Sequence, residues 1–344
     1  MTAPNMKACA LAYAQKYGWS VFPIHNPIFD NAGHCTGCTC EHYRRSDQCK
    51  QNHPHLYLAP GEKCANPGKC PRVRWSEKST TDAAMLDRWF GRPWRDMDIE
   101  TGAFVYNIPN IGIDCGKSGI LVLDADKYKD AYAGANVLTF ADEQTVTSLT
   151  GNLGAHLIYD RQGKPYGNST RGLPAGIDIR GVGGYIVAPP SLHKTGRRYQ
   201  FEDGYGPRDM ALLPIPAALD AILSTATPHR SADVGPSDIE AVNRATSLVE
   251  RILERAELDH YGREEYGDGR RWVLQTCPFN PLDDQHANDK SAFILVLQDG
   301  KISAGCHHNR CQKRIEEAAV SGWQLLKQLA GIPERRRVLV EVTL

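Results

Sequence analysis

No sign of charge predominates in this chain. Its 344 residues carry 40 Lys and Arg against 40 Asp and Glu, a formal net charge of zero. That excludes a uniformly basic coat protein and a strongly charged tail protein. It does not exclude nucleic-acid binding, because local patches matter and sums do not. No run approaches the roughly 18 consecutive apolar residues of a membrane span, so no membrane partner is expected. Residues 1–20 carry Lys7 and Lys16 and lack a continuous apolar stretch, so no secretory signal is expected and a cytoplasmic setting is. There is no internal repeat, no low-complexity tract and no Walker A sequence.

What is present is globular in composition, with 41% hydrophobic and 23% charged residues. A chain of this length can bury a sizeable core and hold two domains. Eleven cysteines are distributed unevenly: six lie between positions 35 and 70 and three between 277 and 311. In a cytosolic chain such clusters read as metal ligands rather than a disulfide framework. Cys9 and Cys115 are left as ordinary buried thiols.

Hydrophobic patterning predicts an α+β fold. Residues 6–17 read as an amphipathic helix ending at Gly18, and Val21-Phe22-Pro23-Ile24 as a short buried strand. Residues 26–75 read as a loop rich in Cys, His and Pro. A helix is expected from Ser79 to Phe90, capped by Thr80, Thr81 or Asp82, with Met85, Leu86, Trp89 and Phe90 as its apolar stripe. Short strands follow at 110–114, 119–124, 146–149, 155–159, 176–180 and 185–188, separated by Gly-rich turns.

Pro214, Pro216, Pro228 and Pro236 mark a boundary. The expected organisation is a first domain over 1–215 with a cysteine-bearing insertion at 33–72, a linker at 216–236, a second module at 237–332 and a tail at 333–344. Residues 215–223 are an alternative last helix of the first domain. Ser237-Asp-Ile-Glu240 reads as a capping box opening a helix toward Leu258. A small cysteine-containing β-ribbon at 270–315 and a helix at about 315–330 complete the second module.

The chemistry concentrates where an apolar strand ends in Asp124-Ala125-Asp126. Strand residues two apart point the same way, so these carboxylates repel unless hydrated or shared by a cation. Mg²⁺ and Mn²⁺ prefer such oxygen ligands. A third acid, Asp178, lies between Ile177 and Ile179. Three acids on neighbouring strand ends suit two-metal nucleotidyl transfer, in which metals activate a hydroxyl and stabilise departing pyrophosphate. His156, in Gly151-Asn-Leu-Gly-Ala-His156, and Arg180 suit binding and neutralising a triphosphate. A lone Asp-x-Asp more often caps a turn; the combination carries the reading.

Local charge agrees. Residues 96–143 carry nine acids against three bases, and residues 161–200 carry seven bases against one acid. The zero sum thus hides an acidic stretch that holds the candidate metal-binding carboxylates and a basic stretch suited to phosphate. Arg197 and Arg198 are DNA-binding candidates there, with a solvated hairpin as the plainer alternative.

The order Leu-Asp-Ala-Asp126, Gly-Ala-His156 and Gly-Ile-Asp178-Ile-Arg180-Gly-Val-Gly-Gly-Tyr-Ile-Val-Ala-Pro-Pro-Ser191 resembles the primase-polymerase (prim-pol) domain of the archaeo-eukaryotic primase superfamily, in the version found in phages and plasmids. The opening Ala12-Tyr13-Ala14 and Gly18-Trp19-Ser20-Val21-Phe22-Pro23 resembles the same domain's start. The likeness spans about residues 8–205. It implies a two-lobed core whose catalytic sheet is related to the RNA-recognition motif. It implies divalent metals (Mg²⁺ or Mn²⁺) held by Asp124, Asp126 and Asp178, and nucleotide phosphates contacted by His156, with Arg180 as a further phosphate or acid partner. The family often has Ser-Gly-Gly-x-His; this chain has the longer Thr150-Gly-Asn-Leu-Gly-Ala-His156.

Cys35-x2-Cys38-x-Cys40 and Cys64-x5-Cys70 supply enough thiolates for a tetrahedral Zn²⁺. Zinc-bearing members of the resembled family show Cys-x-Cys, a further Cys and Gly-Lys-His-Pro. Here Gly68-Lys69-Cys70-Pro71 has Cys in place of His. This favours Cys38, Cys40, Cys64 and Cys70, with Cys35 and Cys49 as substitutes. Lys69 and Arg72 on that loop are candidates for touching DNA or nucleotide. The second cluster resembles the zinc ribbon downstream of catalytic domains in phage primase-helicases, with Cys277, His286, Cys306 and Cys311 as ligands and His307 or His308 as replacements. Trp272, Phe279, Phe293, Lys301 and Arg310 are template-binding candidates there; core packing is the alternative for the aromatics.

The expected function is template-directed nucleotidyl transfer: a DNA primase and DNA polymerase acting on single-stranded DNA with NTPs or dNTPs, in phage or plasmid replication. A replicative helicase is the expected partner, on a separate chain or on the remainder of a longer one. The rivals are a repair or defence polymerase without de novo priming, and a non-catalytic zinc-dependent single-strand-binding module.

Overall fold

A computed structural model describes residues 4–53, 56–126, 145–169, 172–174, 176–226, 238–266, 269–279, 290–307, 311, 314–315, 317–318 and 320–332. The chain divides into two compact units: residues 1–46 with 58–230, and residues 47–57 with 231–344. Among the described residues no helix is long and apolar enough to cross a membrane.

The first unit is built on two sheets. A three-stranded antiparallel sheet joins Val21–Ile24, Asn110–Asp114 and Tyr185–Ala188, with the middle strand of the sequence at its centre. A larger sheet runs in the order Ile177–Arg180, Ile120–Ala125, Ala155–Asp160, Val146–Leu149 and Gln200–Phe201, and Leu213–Pro214 pairs in parallel with Ala155–Asp160. The order is non-sequential, so residues far apart in the chain become neighbours.

Side chains of a strand alternate between faces, and the larger sheet uses both. Ile120, Val122, Val146 and Ile158 pack with Ile111, Ile113 and Ile186 of the smaller sheet. Leu121, Leu123, Ala125, Ile177 and Ile179 form a second core with Leu219 and Leu223. Those two leucines lie on the helix Ala217–Ala226. The helix thus covers a face of the sheet and takes up the first residues of the expected linker at 216–236.

Helix Met6–Tyr17 forms where expected. Asn5 accepts a hydrogen bond from the Ala8 amide at one end, and Gly18, at φ 69°, closes the other. The helix expected from Ser79 instead begins at Ala83, because Asp82 caps it by accepting from the Met85 amide. Ser79 has other work: its hydroxyl donates to Asp114 at 2.7 Å. Leu86, Trp89 and Phe90 are buried as read, whereas Met85 is exposed. The segment read as a loop over 26–75 contains a small hairpin, Pro27–Phe29 with Cys35–Cys38, and the short helices Glu41–Arg44 and, in residues of the second unit, Asp47–Asn52; a further short helix, Trp75–Lys78, begins at its last residue.

The second unit contains the helix Ile239–Arg255, a four-stranded antiparallel sheet in sequential order (His260–Tyr266, Gly269–Leu274, Ala292–Val296, Ile302–Cys306) and the helix Gly322–Leu329. The expected ribbon is therefore a fuller sheet with its own core, around Val249, Leu253, Trp272, Ile294 and Leu326. The first helix is capped by Asp238, which accepts from the Ala241 amide. Ser237, expected in that cap, lies outside the described residues. The last helix opens with a full capping box between Ser321 and Gln324.

Candidate active site

Four strands assemble one row of side chains. Antiparallel register sets Asp178 opposite Asp124, Asp124 opposite His156, and His156 opposite Ser148. Directly opposed side chains on one face of a sheet are close enough to interact. By alternation all four share the face bearing Ile120, Val122, Val146 and Ile158, so the apolar residues that build the core also aim the polar ones.

Arg180, two residues after Asp178, lies on the same face. Its guanidinium sits 3.0 Å from Asp178 and 3.7 Å from Asp124. One cation thus spans both carboxylates, which marks the space between them as cation-attracting. Asp126 lies just past its strand, where its amide donates to the Gly176 carbonyl at 2.8 Å. Among the described residues, the three acids do not close within 4.8 Å of one another, unlike the cysteines discussed below. Oxygen donors on a half-open strand end nevertheless fit hard divalent cations, which retain water ligands.

His156 is buried. Its Nδ1 is 3.3 Å from the Ser148 hydroxyl and its Nε2 is 3.5 Å from Asp124. Burial holds its pKa below the ordinary histidine value, although Asp124 pulls the other way. The ring is therefore neutral near pH 7. The Asp124 carboxylate facing Nε2 favours the tautomer protonated there, which leaves Nδ1 to accept from the Ser148 hydroxyl.

The loop between Ser148 and His156 absorbs its extra length in a turn. The Thr150 amide donates to the Gly154 carbonyl at 2.8 Å, and the Gly154 amide donates to the Thr150 hydroxyl at 2.9 Å. The longer spacing leaves His156 opposite Asp124. Gly151 packs so tightly on His193 that a Cβ would lie 2.2 Å from the His193 Cβ. Thr195 reinforces the contact by donating to the Gly151 carbonyl at 2.8 Å. His156 and His193 both pack on Tyr199, at ring distances of 6.1 and 5.7 Å.

Asn110, fully buried in the smaller sheet, joins two loops beside this site. Its side chain accepts from the Leu192 amide at 2.8 Å, donates to the Leu192 carbonyl at 2.8 Å and donates to the Gly68 carbonyl at 3.3 Å. Lys69 follows Gly68. Burial lowers its pKa below the usual lysine value while Asp124 and Asp126 raise it, so the ammonium is within electrostatic reach of the acids. Lys194, Arg197 and Arg198 are exposed on the neighbouring hairpin. The two arginines line a shallow groove with Leu149, Thr150, Leu153 and Gln200.

Arg72 is placed differently from its reading as a DNA contact. Its side chain is 2% exposed and makes a bidentate pair with Asp96 at 2.8 and 2.6 Å. It also stacks on Trp94, 5.0 Å away, and donates to Thr39 at 3.1 Å. This guanidinium is a structural clamp.

Two groups of cysteines can each hold a metal ion. Cys38, Cys40, Cys64 and Cys70 have sulfurs within 4.8 Å of one another, with Cys64 and Cys70 at 3.4 Å. Cys35 and Cys49 stand outside the group; their thiols donate to the carbonyls of Gly37 and His53. Buried Glu41 ties the two cysteine knuckles together, accepting from the Cys38 amide at 3.1 Å and the Cys64 amide at 2.9 Å. The Arg44 guanidinium lies 3.6 Å from the Cys64 sulfur. Neighbouring thiols and burial push the Cys40 thiol well above its ordinary pKa. Four sulfurs so close, with no disulfide among them, form a donor set suited to a soft, tetrahedral cation.

In the second unit Cys277, Cys306 and Cys311 form a buried group of three, with Cys277 and Cys311 at 3.6 Å. His286, the expected fourth ligand, lies outside the described residues, as do His308 and Arg310. Trp272 and Phe279 are buried in the core rather than available to a template. Phe293 packs on His307 at 5.0 Å, and Lys301 pairs with Asp299 at 2.6 Å.

Ser148, Asn110 and Glu41 were not singled out from the sequence. Ser148 had one signal, a hydroxyl residue in a short apolar strand two positions after Val146. Asn110 is recognisable only through partners distant in the chain, and Glu41 only through its second partner, the Cys64 amide.

The sequence profile of the family described as bifunctional DNA primase/polymerase, N-terminal (Prim-Pol), matches residues 10–216. No curated protein matches the chain.

Proposed function

The chain belongs to the Prim-Pol family of bifunctional DNA primase/polymerases, and from that premise we propose that it extends and starts nucleic-acid strands on a single-stranded DNA template. The reaction is attack of a 3′-hydroxyl on the α-phosphate of a nucleotide, with release of pyrophosphate. The observation that carries this reading is the row of Asp178, Asp124 and His156 across three strands, with Arg180 spanning the acids.

Asp124, Asp126 and Asp178 would hold Mg²⁺ or Mn²⁺, which when bound supplies activation of the hydroxyl and charge neutralisation on the phosphates. His156, neutral and anchored by Ser148, presents an Nε2 proton to a phosphate oxygen. Arg180 neutralises the carboxylates in the absence of substrate and offers a bidentate fork to phosphate in its presence. Arg197 and Arg198, exposed along the groove, track the template backbone.

Cys38, Cys40, Cys64 and Cys70 take one Zn²⁺, replacing the apolar core that the 33–72 insertion lacks. Cys277, Cys306 and Cys311, completed by His286, take a second in a zinc-ribbon module. We place the protein in phage or plasmid replication alongside a helicase.

The test is synthesis on single-stranded DNA with labelled ribo- or deoxynucleotides, in Mg²⁺ or Mn²⁺, with and without a primer. Products in the absence of a primer support priming. Extension confined to primed template favours a repair or defence polymerase. No incorporation under either condition would leave a binding module.

A further inference from the structure

The strands Trp94–Met97 and Phe104–Asn107 form a two-stranded hairpin of the first unit that joins neither of its two larger sheets. Its faces differ. Trp94 opposes Asn107 and Asp96 opposes Val105, and all four are partly buried. Trp94 packs against the core of the smaller sheet and donates its indole N–H to the Trp89 carbonyl at 2.8 Å. Asp96 is held by Arg72. This face fastens the hairpin to its unit.

The opposite face carries Arg95 across from Tyr106 and Met97 across from Phe104. Phe104 is 47% exposed and Tyr106 62%. The Arg95 guanidinium lies 3.6 Å from the centre of the Phe104 ring. Tyr106 makes no hydrogen bond or ring contact with any described residue. Among the described residues neither Arg95 nor Arg92, exposed just before the strand, has a carboxylate partner. Glu100, in the turn, is paired with Lys63.

Single exposed apolar residues are ordinary on a protein surface. Here two rings stand on alternate positions of one strand, about 7 Å apart along it, on a ribbon clamped from behind. Aromatic residues displayed in this way on a strand stack unpaired bases, and every base offers a face to stack. A guanidinium against a ring keeps its N–H donors for a phosphate. The charge selects the occupant. An uncharged apolar partner leaves Arg92 and Arg95 without counter-charge, whereas a single strand supplies bases for the rings and phosphates for the arginines. A duplex keeps its base faces stacked inside.

We propose that Arg95, Phe104 and Tyr106 form a platform for single-stranded DNA, on which the rings stack bases and Arg95 and Arg92 meet the adjoining phosphates. This rests on the reading of the chain as acting on single-stranded DNA. It adds a contact on a hairpin separate from the strands that carry the acid row and from the groove of Arg197 and Arg198.

The experiment measures binding of the full-length protein to a labelled oligothymidine and to an abasic oligonucleotide of the same length, by fluorescence anisotropy over a salt series. Phe104→Ala and Tyr106→Ala should each weaken oligothymidine binding about fivefold to a hundredfold. Abasic binding and the salt slope should stay as in wild type, and Tyr106→Phe should retain wild-type affinity. Arg95→Ala should weaken binding of both oligonucleotides and make the salt slope shallower by about one unit. Arg197→Ala/Arg198→Ala should also flatten the slope, while the preference for bases over abasic sites persists. Oligothymidine binding within about twofold of wild type in both aromatic variants overturns the inference and hands the face to a protein partner. Equal losses on the two oligonucleotides in those variants overturn it as well, since stacking needs bases. A wild-type protein that binds neither oligonucleotide overturns the single-strand reading itself. Tyr106→Ala removes no bond to a described residue, so it decides the stacking role even where Phe104→Ala loosens the hairpin.

Discussion

Replacing Arg72 with Ala separates the buried clamp from a DNA contact. The pair with Asp96 is bidentate, and the two side chains are 2% and 9% exposed. Removing the guanidinium strands a buried carboxylate, which costs about 3–5 kcal/mol. Loss of the stacking on Trp94 adds to that. Against a typical domain stability of about 5–15 kcal/mol this is a large fraction. With a urea slope of about 2 kcal/mol per molar, the first unit should unfold at a midpoint lower by about 1.5–2.5 M. Urea unfolding followed by tryptophan fluorescence reads this, and amide hydrogen exchange assigns the transition to the first unit. A double Arg72→Met/Asp96→Leu variant should regain most of the loss, since no buried charge is then left alone. The salt dependence of oligonucleotide binding should be unchanged for the surviving folded fraction. A midpoint within about 0.3 M of wild type, together with a salt slope shallower by about one unit, would refute the clamp and restore Arg72 as a phosphate contact.

Metal analysis of the purified protein should give about two zinc ions per chain. Cys64→Ser and Cys306→Ser should each lower that by about one, and equal losses from both sites in either variant would count against two independent sites. Asn110→Ala, which removes three hydrogen bonds of a buried amide, should cost about 2–4 kcal/mol and raise hydrogen exchange in the loops around Gly68 and Leu192. Burial depresses His193 to a pKa of about 4, aided by Lys69 and Lys194. The unfolded chain then takes up this proton first, near pH 6.5. Stability should therefore fall as pH drops from about 6.5 to 4 and level off below, and the slope should flatten in His193→Gln. An unchanged pH profile in that variant would contradict the assignment.

Most strands of the first unit were legible because short apolar runs ended at glycines and acids. Asn110–Asp114, Ile120–Ala125, Ile177–Arg180 and Tyr185–Ala188 form within a residue of the pattern. The hairpin of Trp94–Met97 with Phe104–Asn107 was not. Its first strand carries Arg95 and Asp96 and its faces are only partly buried, so no alternation of apolar residues announces it. The same strand hides the fate of Arg72, whose partner Asp96 is 24 residues away and looks from sequence like one more surface acid.

The motif residues of the site could be read, but their alignment could not. Asp124, His156 and Asp178 meet because the sheet order places the Asp178 and His156 strands on either side of the Asp124 strand. That pairing is non-local, and no spacing in the chain encodes it. Ser148 joins locally, through the hairpin that pairs Val146–Leu149 with Ala155–Asp160 and sets it opposite His156. The Cys38, Cys40, Cys64 and Cys70 group was narrowed from six candidates by motif likeness. In the structure it is Glu41, bonding to both knuckle amides, that brings the two halves together. Trp272 and Phe279 show the opposite limit: an aromatic near a ribbon reads equally as a stacking platform or as core, and burial decides for core.

Asp124 and Asp126 carry the proposed chemistry. The measurement is primer extension and primer-free synthesis by an Asp124→Asn/Asp126→Asn variant of near-native volume, with circular dichroism recorded alongside to separate loss of chemistry from loss of fold. Loss of the metal-holding carboxylates predicts a fall in nucleotide incorporation of at least about a thousandfold, or about 4 kcal/mol of transition-state stabilisation, with oligonucleotide binding retained. Incorporation within a few-fold of wild type would contradict the acid row as the catalytic centre.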